Sequence, residues 1–165
     1  ELKPVGLLVM LDAIYNRVIR NRRKGRYTHV YIDEIYLFFA ASGGGGQNRI
    51  NQYSSEFLYK CWKRFRKYGA MLTGITQNVE ECLESERGKF MFGNSEFMLM
   101  FNQAAKDQEQ LSEILKISDT QMAYVNNSPV GHGLIKVGSS IVPLINDFPK
   151  DTELYRLMST RPGEG

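Results

Sequence analysis

The run Val30-Tyr31-Ile32 is apolar at three consecutive positions and stops at two acids, Asp33-Glu34. Continuous apolarity, in place of alternation, belongs to a strand covered on both faces, and such strands occur in sheets flanked by helices. The flanking sequence agrees. Leu7, Leu8, Leu11, Ile14, Tyr15, Val18 and Ile19 recur at spacings of three and four, which predicts an amphipathic helix from about Gly6 to Arg23. Residues 70–76 give a second buried strand ending at Gln77, and residues 96–102 a third, whose methionines fill a core. The expected fold is α/β, a mostly parallel sheet flanked by helices. Gly133–Val137 and Ile141–Ile145, joined by Gly138-Ser139-Ser140, add a C-terminal β-hairpin.

Local signals mark the remaining elements. Arg17, Arg20, Arg22, Arg23 and Lys24 crowd the end of the first helix before Gly25, where cations complement the helix dipole. A solvated helix end and a DNA-binding patch both accommodate them. Residues 40–53 are small, polar and glycine-rich, which predicts a flexible loop, and Gly43–Gly46 has the look of a bridge replacing a longer loop. Ser54 or Ser55 caps the next helix, which carries Phe57, Leu58, Cys61, Trp62, Phe65 and Tyr68 on one face and Lys60, Lys63, Arg64, Arg66 and Lys67 on the other. Asn78 and Glu81 form a capping-box-like start for a further helix. Residues 106–115 and 118–124 form a helical pair, the second with Ser118 and Gln121 at capping-box spacing. A short helix over 152–158 precedes a disordered tail, 159–165.

With 165 residues, 42% hydrophobic and 24% charged, the chain has the balance of one globular domain. Its formal net charge of +3 does not by itself demand a nucleic-acid partner. Cys61 and Cys82 lie in apolar patterns without metal-ligand spacing, as reduced buried thiols of an intracellular protein do. His29 and His132 have no partner at catalytic or metal spacing. No leader and no apolar run of about 20 residues occurs, which predicts a soluble chain. It starts at Glu1 without Met, as a segment of a longer protein would.

The acids after Ile32 carry a chemical meaning. An apolar strand ending in Asp-Glu is the Walker B pattern of P-loop NTPases, in which Asp holds Mg²⁺ through water and Glu polarises the water that attacks the γ-phosphate. The phosphate-gripping pattern G-x-x-x-x-G-K-[ST] is not found in the chain, and Gly43–Gly46 runs into Gln47-Asn48 instead of Lys-Ser/Thr. Acids also end ordinary strands, so the pattern alone is weak.

Several segments together resemble one family across nearly the whole chain. They are residues 30–34, then Lys63-Arg64-Phe65-Arg66-Lys67-Tyr68-Gly69, then Thr73-Gly74-Ile75-Thr76-Gln77-Asn78, with Asn94-Ser95-Glu96 and residues 148–155 in support. They look like the C-terminal motor domain of the CagE/TrbE/VirB family of conjugative type IV secretion ATPases, especially members from mobile elements of Gram-positive bacteria. The resemblance implies part of a RecA-like P-loop NTPase core spanning 1–165 as one domain, the C-terminal portion of an ATPase lacking Walker A. It implies ATP and Mg²⁺ as cofactors of the parent, with Asp33 as the magnesium residue, Glu34 as catalytic base and Thr76 at the nucleotide. Gln77 would sense the γ-phosphate or position water, and Arg66, or else Arg64, would be an arginine finger offered to a neighbouring subunit. A solvated basic face is the alternative for both arginines, and a strand-end amide for Gln77.

The implied parent is a homo-hexamer at the inner face of the cell membrane that works with other secretion-channel and coupling proteins to move DNA or protein. Two other functions fit the residues: an FtsK/HerA-like DNA translocase or coupling protein, and a non-catalytic docking module acting through residues 106–124.

Overall fold

In the computed structural model, which describes residues 3–39, 45–126 and 128–159, the two strands expected in the first half pair in parallel. β1 (Thr28–Ile32) runs beside β2 (Ala70–Gly74), from Thr28 opposite Ala70 to Ile32 opposite Gly74. Two helices, α1 (Lys3–Arg23) and α2 (Gly45–Arg64), cover one face of this pair. Leu11 and Val18 of α1 meet Leu58 and Cys61 of α2 over Val30, Ile32 and Leu72. Burial of such side chains supplies the main driving force, and truncating one as enclosed as Leu58 typically costs about 2–5 kcal/mol.

The opposite face corrects an expectation. Continuous apolarity implied cover on both sides, yet burial alternates along β1, and Tyr31 and Met71 are 68% and 59% exposed. The tyrosine is apolar enough to complete the pattern without being buried. A second correction concerns residues 45–53, expected in a loop, which form the first turns of α2. Residues 40–44 lie outside the described residues. Ser54 and Ser55, read as helix caps, instead lie buried within α2, where Ser55 Oγ donates to the Gln52 carbonyl and accepts from Arg87 Nη1 at 3.0 Å. The unit Glu1–Asn94 is completed by two short helices, α3 (Val79–Leu83) and α4 (Glu86–Gly93), and by 3₁₀ turns at Ile35–Phe38 and Phe65–Tyr68.

A second compact unit, Ser95–Gly165, has its own core. Its strands β3 (Phe97–Met100), β4 (His132–Val137) and β5 (Ser140–Ile145) form an antiparallel sheet in the order β3-β4-β5. The expected mostly parallel sheet is thus not what forms: the third strand pairs with the hairpin, because Phe97 to Met100 finds its backbone partners in Val137 to Leu134. The hairpin itself matches expectation, with Gly138 at φ 59° in its two-residue turn. Met100, Ile117, Val125 and Leu134 are buried together beneath the sheet. Leu115 of α5 (Ala105–Leu115) and Met122 of α6 (Asp119–Met122) pack against them, and α7 (Glu153–Met158) follows, its Tyr155 stacked on Phe148. The Ser118–Gln121 capping box is formed, and Gln121 Nε2 also donates to the Ile141 carbonyl, tying α6 to β5. The tail residues 160–165 lie outside the described residues.

Candidate functional site

At the carboxyl end of the parallel pair, a single residue of the β2 side holds two positions of the β1 side. The Ile75 amide donates to the Ile32 carbonyl and the Ile75 carbonyl accepts the Ile35 amide, both at 2.9 Å. Asp33 and Glu34 lie between these two bonds and are therefore forced out at the strand tip. Ile35 then turns inward, 4% exposed, and packs over Gly74, where a Cβ would come within 2.5 Å of Ile35 Cδ1. Gly74 and Ile35 position the acids, although the sequence reading singled out neither. A glycine at the end of the neighbouring strand, leaving room for the apolar residue after two acids, is the signal that could have found them.

Asp33 is exposed, and its Oδ1 accepts the Glu34 amide at 3.0 Å. Glu34 has φ 50° and ψ 48°, a left-handed backbone that costs a non-glycine residue about 1–2 kcal/mol. Its side chain is half-buried, and Oε2 is fully enclosed without a hydrogen-bond partner. A buried carboxylate oxygen left unpaired is costly, and in native proteins such atoms mark strain, catalysis or a site for water or an ion.

On the β2 side, Thr76 Oγ1 accepts the Asn78 amide at 3.0 Å and donates to the Asn78 carbonyl at 3.1 Å. Its hydroxyl is occupied in holding this turn. Asn78 caps α3 as expected: Oδ1 accepts the Glu81 amide and Nδ2 donates to Glu81 Oε1 at 2.6 Å. Between them Gln77 projects into solvent. The parallel register thus gathers Asp33, Glu34, Thr76 and Gln77 at one end of the sheet.

Arg66 does not join them. It is exposed on the 3₁₀ turn Phe65–Tyr68, directly before the start of β2, with Arg64 two residues earlier at the end of α2. The length of a five-residue strand, roughly 16 Å, separates that end from Gln77. Arg66 and the acids can meet only between two copies.

Among the described residues no three His, Cys, Asp or Glu side chains are grouped to hold a metal ion. One exposed aspartate beside an unpaired glutamate oxygen suits Mg²⁺, which is normally bound through one or two carboxylates together with waters and phosphate oxygens. The donor set fits a nucleotide-bridged ion. The two cysteines are free and buried, and burial pushes both thiols up to about 12, so neither is a nucleophile.

A parallel strand pair with acids and an amide at its carboxyl ends has the geometry of an α/β ligand-binding fold, in which ligands collect outside those ends. The fold is similar to that of a solved structure, VirB4 of Thermoanaerobacter pseudethanolicus, with a TM-score of 0.72 and 24% identity over 85% of this chain. The match takes in 36% of the VirB4 chain. No protein-family model and no curated protein matches the chain. Among the described residues, no helix is long and apolar enough to cross a membrane.

Proposed function

We propose that this chain is the C-terminal part of a RecA-like motor ATPase of the type IV secretion class, whose parent couples ATP hydrolysis to transfer of DNA or protein or to channel assembly. The observation that carries the reading is Glu34: a carboxylate with one buried, unpaired oxygen, on a strained backbone, beside Asp33 at the tip of a parallel strand. The likeness to VirB4 supports it, as do the motifs that resemble the secretion ATPases.

In this reading Asp33 would hold Mg²⁺ through a water, and the bond its Oδ1 accepts from the Glu34 amide would orient the carboxylate for that role. Bound Mg²⁺ neutralises charge on the nucleotide phosphates. Glu34 would accept the proton of the attacking water through its carboxylate. Gln77 orients that water or reads the γ-phosphate, and Thr76 shapes the loop against the nucleotide. Arg66 serves the site of a neighbouring copy, since a guanidinium stays charged and forks around phosphate oxygens. That role makes the parent a ring, for which a homo-hexamer is our assignment. The parent works at the cytoplasmic face of the cell membrane beside channel and coupling proteins.

The test uses the longer protein that carries a phosphate-binding loop. Glu34→Gln is expected to lower turnover by about 10²–10⁴-fold while nucleotide affinity is retained. Turnover at the wild-type rate would exclude Glu34 as the base.

A further inference from the structure

Gln77 carries an exposed side chain on a short connection, yet the backbone on both sides of it is held. Before it, the Ile75 amide and carbonyl are bonded to Ile32 and Ile35 of the arm that bears the acids. After it, Asn78 caps α3 and Val79 is buried. The span between is closed by one hydroxyl. Thr76 Oγ1 accepts the Asn78 amide at 3.0 Å and donates to the Asn78 carbonyl at 3.1 Å, so both bonds pass across Gln77 and restrict the directions in which it can leave the strand.

A threonine hydroxyl has one proton and two lone pairs. Here the proton and one lone pair are committed to Asn78. The lone pair that remains has the Cys82 thiol for a neighbour, fully buried and within hydrogen-bond reach of the Thr76 side chain. The arrangement leaves the hydroxyl no proton to donate to a phosphate oxygen.

The same brace reaches the acids. Cys82 belongs to one buried cluster with Ile35, Leu11, Leu58 and Met91. The residue that follows Glu34 and the thiol behind Thr76 therefore rest on one core, and the backbone bonds of Ile75 tie the two arms a second time. All of these contacts are internal to residues 1–94, so they do not depend on what covers the sheet in a longer protein.

We propose that Thr76 is the positioning residue of Gln77: its hydroxyl holds the turn from Thr76 to Asn78 so that the Gln77 amide is presented beside Asp33 and Glu34, and it does not itself touch the nucleotide. The inference rests on the ATPase reading and adds to it the device that aims the amide.

Steady-state hydrolysis of MgATP by the longer protein tests this. Thr76→Val keeps the shape and removes the hydroxyl, and is expected to lower kcat about 10- to 10²-fold with KM within about twofold of wild type. Thr76→Ser keeps the hydroxyl and should hold kcat within about threefold of wild type. In a Gln77→Ala background Thr76→Val should lower kcat by less than about twofold more, because a residue that acts through Gln77 then has nothing to place. Circular dichroism checks that each variant is folded, and Thr76→Ala takes the place of Thr76→Val if the latter is not. Wild-type kcat in Thr76→Val, an equal loss in Thr76→Ser, or losses that multiply with Gln77→Ala would each overturn the proposal, as would wild-type kcat in Gln77→Ala. A raised KM at unchanged kcat would overturn it too and make Thr76 a nucleotide ligand. Full turnover in Glu34→Gln would bring down the ATPase reading itself, whereas turnover lost in Glu34→Gln and Gln77→Ala but kept in Thr76→Val would bring down the role of Thr76 alone.

Discussion

Glu34 shows how a single position can carry conflicting demands. Its carboxylate needs to stand free of partners, and its backbone turns left-handed so that Ile35 can dive over Gly74. A glycine would relieve the backbone but remove the acid, so strain here is tied to the chemistry proposed. The cysteines are the opposite case, with chemistry suppressed by packing. Cys61 and Cys82 are 3% and 0% exposed, and desolvation raises both thiols from 9.0 to about 12. Below pH 9 both folded and unfolded thiols keep their protons, and the stability held in that difference is fully present. Above pH 9 the unfolded chain ionises first, so stability falls as pH rises toward 12. Alkylation by iodoacetamide at pH 8 should be at least tenfold slower in the native chain than in 6 M guanidinium. Equal rates would show that the thiols are accessible.

Elements whose signals are local were legible in the sequence. The spacing of Leu11, Ile14 and Val18 gave α1, Asn78 and Ser118 gave two helix starts, and Gly138 gave the hairpin turn. What was hidden depends on distant partners. Ser54 and Ser55 look like caps, but Arg87, 32 positions beyond Ser55, reaches that serine inside α2, so tertiary contact overrode the local preference. The site divided the same way: Asp33, Glu34 and Gln77 were visible as strand ends, whereas the Ile35–Gly74 contact and the unpaired Glu34 oxygen needed three dimensions. Gly88 is another such contact, since a Cβ there would lie 1.8 Å from the Cys82 carbonyl oxygen. Gly88→Ala must push two backbones apart and is expected to cost about 3 kcal/mol or more. At Gly74 the clash is with the movable end of Ile35, so Gly74→Ala should cost less, about 1–2 kcal/mol. Urea denaturation of both variants would reverse this view if Gly74→Ala proved the less stable.

For the molecule as a whole, acids stand at one end of the parallel pair and arginines at the other, so the arginine-finger role proposed for Arg66 calls for head-to-tail neighbours. In the longer protein, Arg66→Ala should lose at least 10³-fold in turnover, as loss of an arginine finger does. Mixing it with Glu34→Gln should restore part of the activity, because some interfaces then pair an intact Glu34 with an intact Arg66. Failure of the mixture to recover would place Arg66 outside the neighbour's site. The antiparallel sheet has a separate consequence for handling the chain. β3 is one of its two edge strands, and Phe97-Met98-Leu99-Met100, with Phe101 just beyond it, makes five uncharged apolar residues in a row, Phe97 58% and Leu99 44% exposed. Glu96 is the nearest charge in sequence, the sole gatekeeper before the run. Such an edge can template further strands, so at high concentration this chain is expected to tend toward cross-β aggregation.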